Sequence, residues 1–324
     1  MKVKELLGNV KVSKGVQNAG NQIVIPLIAE EELTDVSSDM LVEIAHDTDY
    51  AKLSLQNKDE GKPVIIPQGT AFISKKAGQD RATLKVNVVD CQKYKTVDVA
   101  CIQSSESSHF EKGMDEFTFI PTSIREKAME KHKDGPGHSN YSMLWDDISS
   151  YMKKLGMEGQ RSHIHDFYDY FKKELDEFIA PFEKVSNQVG AIILINNKVV
   201  GIELYPNYGS WSKVWRKLIR DSYGAEAVGL IKQKKTVGFK PYIEADNITT
   251  IADLKAEVDN VKKVSMEFIM EKVNPILEKT VESEQTSVSV NFKINTLKVS
   301  GFVGQSVEKD GKLYYLSLFR GMVK

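Results

Sequence analysis

The densest set of groups able to grip an anion is Lys75-Lys76-Ala77-Gly78-Gln79-Asp80-Arg81, a cationic, amide-bearing connection between two strand-like stretches. Arg81 offers a planar fork of N–H donors that matches a phosphate, and Lys76 adds a second positive charge. Gln79 and Asp80 supply groups suited to a ribose or a base edge. The same composition also suits a polar hairpin loop that binds nothing. A second polar cluster, Gln103, Glu106, His109 and Phe110, follows the strand-like run Thr96–Ile102. His109 titrates near neutrality and is suited to acid or base work. Phe110, Trp145 and Trp211 are stacking platforms or simply core. Glu203, among Gly201, Ile202 and Leu204, is a buried carboxylate or an outward-pointing one. The candidate ligand-binding set is therefore Lys76, Gln79, Asp80, Arg81, Gln103 and Phe110, and the acid–base candidates are His109, Glu106 and Glu203.

Other chemistry lacks an anchor. The chain has no GxxxxGK[ST] run and no GxGxxG after a strand, and Gly135-Pro136-Gly137 lacks a strand-turn-helix setting. It also has no HExxH, no paired CxxC and no GxSxG elbow, so simple zinc and serine-hydrolase readings are unsupported. His163 and His165 share a face only on a strand, yet their surroundings read as a helix start, where residues i and i+2 point apart. Capping or surface histidines are expected there, and no metal or cofactor site is. Asp166, Asp169, Glu174, Asp176 and Glu177 recur at helical spacing beside Lys172 and Lys173, as on a solvated face.

The elements that must position these groups read as follows. Strand patterns cover Gln22–Ile28, Met40–Ala45, Ala51–Gln56, Pro63–Ile66, Ala71–Ser74, Ala82–Val89 and Thr96–Ile102, several alternating apolar with polar residues. Helical patterns follow at Ser123–Lys133, Ser142–Leu155 and His163–Ile179. A β-hairpin is expected at Val189–Ile195 and Lys198–Tyr205, because Asn196-Asn197 tolerates the positive φ of a type I′ turn. It runs into an amphipathic helix whose Trp211, Val214, Trp215, Leu218 and Ile219 stripe should pack on the sheet.

Ile251, Leu254, Val258, Val261, Val264 and Phe268 then predict a long amphipathic helix, bent or ended before Pro275. Its spacing suits packing on the same chain and also allows a heptad seam between two copies. Val281–Thr286 reads as a loop, and strands Ser287–Ile294, Leu297–Val303 and Leu313–Phe319 close the chain, with Asp310-Gly311 as a hairpin turn. The expectation is an α+β fold in one elaborated domain over 1–324: β-rich over 1–120, helical with the central hairpin over 121–285, and antiparallel strands over 286–324.

The 324 residues carry 44 basic and 45 acidic side chains, so no overall field recruits nucleic acid or an anionic membrane. The longest apolar runs fall short of the roughly 20 residues that cross a bilayer, and the N-terminus lacks the apolar core of a signal peptide. Cys91 and Cys101, the two cysteines, suit buried thiols in a reducing cytoplasm.

The order of motifs resembles one family. Asn21-Gln22-Ile23-Val24-Ile25-Pro26-Leu27, the segment from Gly69 to Arg81, and Val99-Ala100-Cys101-Ile102-Gln103 resemble the opening third of the ARG-and-rhodanese-phosphatase-superfamily-associated protein domain. Leu144-Trp145-Asp146-Asp147-Ile148, Gln188-Val189-Gly190-Ala191, Val200 through Tyr205, Trp215-Arg216-Lys217-Leu218 with Ser222-Tyr223, and Asp310-Gly311-Lys312 through Phe319 resemble its later blocks in the same order. The resemblance implies a setting in the metabolism of NAD-derived or ADP-ribosylated compounds and maps the family's polar motif onto Gly69 and onward to Gln79, Asp80 and Arg81. Thr70 and Ala71 stand where the family tends to carry acids, two extra residues intervene, Gln103 replaces a usual glutamate, and Tyr315 a frequent histidine. If those groups do chemistry in relatives, this chain binds without turning over.

Three functions follow as expectations. The first is a cytoplasmic protein that sequesters a small phosphorylated nucleotide such as ADP-ribose. The second is a hydrolase acting on an ADP-ribose derivative, and the third a scaffold whose helix Ile251–Val273 docks a partner. A homo-oligomer is compatible with each.

Overall fold

The computed structural model describes residues 1–8, 10–39, 42–73, 79–104, 116–132, 140–157, 163–237 and 248–323, with backbone alone over 45–49. The fold is α+β, built on antiparallel sheets. Among the described residues the largest sheet has nine strands, in the order Lys11–Val12, Gln22–Ile28, Gln188–Ile195, Lys198–Leu204, Lys312–Phe319, Phe302–Lys309, Phe292–Val299 and Glu282–Ser289, with Gln17–Ala19 also on Gln22–Ile28. This sheet draws strands from the beginning, middle and end of the chain. Its centre is the hairpin at Asn196-Asn197, whose φ values of 50° and 58° are those of the expected turn. Asp310-Gly311 likewise turns with positive φ.

The sheet is covered on both faces, which explains why its central strands are apolar without alternation. Ala191, Ile193 and Ile195 join Val24, Trp211, Val214 and Leu218 in one core, while Ile192 and Leu194 join Ile23, Ile25, Ile269 and Val273 in another. Trp211 is fully buried, so the tryptophan stripe lies on the sheet as its spacing implied. That helix is Tyr208–Lys217, capped by the Asn207 side chain, and it widens into a π-helix at Leu218–Gly224 before Ala225–Lys232 resumes α geometry. The wide turn brings Asp221, Ser222 and Tyr223 inward together.

A six-stranded sheet runs in the order Glu116–Phe119, Thr70–Ile73, Arg81–Thr83, Tyr94–Cys101, Lys52–Asn57 and Val42–Asp49, and Val64–Ile66 pairs with Asn87–Val89. The expected single strand Ala82–Val89 is thus two. Arg81–Thr83 stays in the six-stranded sheet, while the amide of Val86 donates to Gln305 Oε1 and the chain leaves for a different partner. Helices Thr122–Lys131, Trp145–Lys154, Ile164–Tyr170 and Lys172–Ile179 pack on one face through Ile124, Ile148, Phe167 and Leu175 against Ala71, Ala82 and Ala100. The expected helix His163–Ile179 breaks at Phe171, which caps the first half and begins the second.

Three further expectations are corrected. The long helix, Ile251–Leu277, runs through Pro275. A proline so near the C-terminus removes only one intrahelical hydrogen bond in a turn that is ending. Of that helix Ile269 and Val273 are fully buried, with Phe268, Met270, Ile276 and Leu277 packed beside them on the same chain. Val281–Thr286 is not a loop but mostly edge strand Glu282–Ser289, whose polar residues face water. Both cysteines are free, but Cys101 alone is buried and Cys91 is half-buried.

Candidate functional site

Arg81 begins its strand opposite Cys101 on one side and Phe72 on the other. Directly paired residues point to the same face, so the guanidinium projects among the apolar side chains that include Phe72, Val97 and Val99. It is fully enclosed, and an enclosed cation must be held by polar groups. Its Nη1 donates to the carbonyl of Gln79 and to Gln79 Oε1, each at 3.0 Å. Cys101 Sγ lies 3.0 Å from the same Oε1. The amide oxygen thus holds the fork from one side.

The ring of Tyr50 covers the guanidinium, 5.4 Å from Cζ to the centroid. Tyr141 lies 5.4 Å beyond Tyr50, and Trp145 meets Tyr141 edge-on at 5.5 Å. Since Tyr50 is half-buried and Tyr141 exposed, an aromatic row leads from the enclosed cation to solvent. The backbone locks this arrangement: Cys101 N–H donates to the Tyr141 carbonyl at 2.7 Å, and Ile102 N–H to the Asp80 carbonyl at 3.0 Å. Gln103 Oε1 accepts from Asp80 N–H at 3.1 Å, and Gln103 bridges His163 through the backbone. Asp80 and Gln79 are both buried. Of the sequence-derived set, Gln79, Asp80, Arg81 and Gln103 are therefore neighbours in space. Lys76, Glu106, His109 and Phe110 lie outside the described residues.

Glu203 sits elsewhere, in a buried network that the sequence did not reveal. Its Oε1 accepts from Arg125 Nη1 at 2.8 Å and from the Tyr223 hydroxyl at 2.6 Å. Arg125 also donates from Nε to Gln68 Oε1 at 3.1 Å and from Nη2 to Ser317 Oγ at 2.7 Å, with Ser222 Oγ at 3.5 Å from Nη1. The Phe319 ring covers its Cζ at 4.1 Å. Burial works against the charge of Arg125, but the Glu203 carboxylate and the Tyr223 and Tyr315 hydroxyls more than offset it and hold its pKa above the usual value. Burial, then the Glu203 charge, pushes the Tyr223 hydroxyl well up, so it stays protonated and donates.

Two glycines make room for this network. A Cβ at Gly69, where φ is +78°, would lie 2.8 Å from Arg125 Cγ, and one at Gly201 would lie 2.1 Å from the Tyr223 hydroxyl. The Arg125 fork joins helix Thr122–Lys131 to two strands of the large sheet and the turn at Gln68-Gly69. The arrangement is that of an interior tie, not of an open acid–base site.

The remaining predicted groups are placed plainly. Trp211 packs in the core at 5.6 Å from Tyr205. His163 precedes helix Ile164–Tyr170 with Nδ1 3.6 Å from Asp166, and His165 is exposed beside Asp169. Among the described residues no group of three or more His, Cys, Asp or Glu side chains is arranged to hold a metal ion. No helix among them is long and apolar enough to cross a membrane.

Sequence reasoning missed Tyr50 and Tyr141, which no spacing rule connects to Arg81, and Arg125, which reads as a surface cation of its helix. Comparison with protein families matches residues 14–319 to the ARG and Rhodanese-Phosphatase-superfamily-associated Protein domain. Neither the curated proteins nor the solved structures give a match. With nearly its whole length covered, the chain belongs to that family.

Proposed function

We propose, taking that membership as the premise, that this chain is a cytoplasmic binding protein for a small phosphorylated nucleotide of the ADP-ribose or NAD-derived class, held without turnover. The observation that carries the reading is the enclosed Arg81 guanidinium, oriented by the neutral amide of Gln79 and continued toward solvent by Tyr50 and Tyr141. In this reading the ligand's phosphate is drawn toward the Arg81 charge at the inner end of the row, and its base stacks on the ring faces at the outer end. Asp80 and Gln103 flank the inner end with groups suited to a ribose.

Sequestration is favoured over hydrolysis because the acid–base candidate within the described residues, Glu203, is committed to Arg125 and Tyr223. Its neighbour Tyr315 is a buried tyrosine where the family resemblance leads one to expect histidine. The test is to incubate the purified chain with ADP-ribose, NAD and cyclic ADP-ribose, following melting temperature and, by mass, the ligand itself. A raised melting temperature with unchanged ligand is expected. Product formation would replace this reading with the hydrolase, and the absence of both effects would remove the site.

A further inference from the structure

Between helix Ile251–Leu277 and the stretch from Lys14 to Asn18 lies a cavity of about 380 Å³ that the chain's own side chains leave unfilled. The helix supplies Val261, Lys262, Ser265, Met266 and Ile269, which share one face because they recur at helical spacing. From Val261 to Ile269 they cover about 12 Å of the helix axis. The opposite wall is Lys14, Gly15, Val16 and Asn18.

Both walls are held from behind, so the hollow belongs to the fold. Ser13 N–H donates to the Pro26 carbonyl at 2.9 Å, Gly15 N–H donates to Ser13 Oγ at 3.0 Å, and Asn18 pairs with Ile23 in the large sheet. On the other side Ile269 and Val273 are buried in the core against which Val16 also packs.

The floor is apolar. Val16, Val261, Met266 and Ile269 form it, and Ser265 adds no polar demand because its Oγ donates to the Val261 carbonyl at 2.6 Å. Waters filling such a space, at roughly 30 Å³ each, would need polar partners that this floor does not offer. Hydrocarbon needs none.

The rim has the opposite character. Lys14 and Lys262 are exposed there, Asn18 adds an amide, and among the described residues no carboxylate lines the cavity. The Lys262 pair with Asp259, 3.6 Å apart and highly exposed, holds that ammonium only weakly. An apolar floor beneath a rim of two cations is complementary to a hydrocarbon tail with an anionic head.

We propose that this cavity binds an unbranched alkyl carboxylate of medium length, its chain lying along Val261–Ile269 and its carboxylate at the lysine rim. The experiment is calorimetric titration of the full chain with decanoate below its micellar concentration, beside octanoate, decanol and acetate. Saturable binding of one decanoate per chain is expected. Octanoate, two methylenes shorter, should bind about tenfold more weakly. Decanol, which lacks the charge, should bind several-fold more weakly than decanoate, and acetate should not bind.

Lys14→Gln combined with Lys262→Gln should bring decanoate down to the affinity of decanol and leave decanol unaffected. Ser265→Phe should fill the hollow and abolish both, and Val16→Trp fills it from the facing wall should the first variant not melt cooperatively. Absence of saturable decanoate binding would overturn the proposal. So would decanol binding as tightly as decanoate, or decanoate affinity that survives in a cooperatively melting filled variant.

Discussion

At the scale of single residues, enclosed charge is the informative feature, because each buried ion must be explained by its partners. An amide and a ring are among the groups that hold Arg81, and Arg125 is held by a carboxylate, an amide and hydroxyls. The two therefore predict different variants. Arg81→Lys keeps the charge but loses the fork that Gln79 orients. It should weaken nucleotide binding by about tenfold or more in calorimetric titration while the fold persists. Glu203→Gln strands the Arg125 guanidinium in the interior and should cost about 3–5 kcal/mol of stability in denaturant unfolding.

Lys95 gives a pH prediction. Burial, and secondarily the Lys85 charge, push its pKa down to about 8, while its Nζ donates to the Val88 carbonyl and Ser289 Oγ. The folded value lies below the unfolded one, so the folded state carries its full penalty below pH 8 and loses it as the pH rises toward the unfolded value. Lys95→Met should raise stability at pH 7 by up to about 3 kcal/mol. It should also remove the gain that wild type shows above pH 8. Ser289 Oγ still donates to Val88 in that variant. Thermal melts of both chains across that range check it.

At the scale of elements, legibility followed the range of the forces involved. The Asn196-Asn197 turn and the Trp211 stripe are local, set by φ preference and by spacing, and both stand in the structure as the sequence implied. The split of Ala82–Val89 was hidden because the amide of Val86 is taken by Gln305, more than two hundred residues away. The strand Glu282–Ser289 was hidden because an edge strand needs little apolar residue content. Gln79, Asp80, Arg81 and Gln103 were found together because they begin or flank the adjoining ends of two paired strands, Arg81–Thr83 and Tyr94–Cys101, whereas Tyr50 and Tyr141 arrive from separate segments. Close approach of elements is also testable. Gly201→Ala would press a methyl into the Tyr223 hydroxyl and displace it from Glu203, so a loss of about 1–3 kcal/mol is expected in chemical denaturation.

At the scale of the whole molecule, a nine-stranded sheet threads the beginning, middle and end of the chain, and a six-stranded sheet carries the enclosed Arg81 on an inner strand. Arg125 ties the two regions, and the aromatic row Tyr50–Tyr141 leads from Arg81 outward. The central claim is that this row receives a phosphorylated nucleotide. Its most direct test is calorimetric titration of wild type and Arg81→Lys with ADP-ribose, with the recovered ligand weighed by mass spectrometry. The account predicts saturable binding by wild type, unaltered ligand, and markedly weaker binding by a variant that still melts cooperatively. Equal affinity in the two chains, or no binding by wild type to ADP-ribose, NAD or cyclic ADP-ribose, would contradict it.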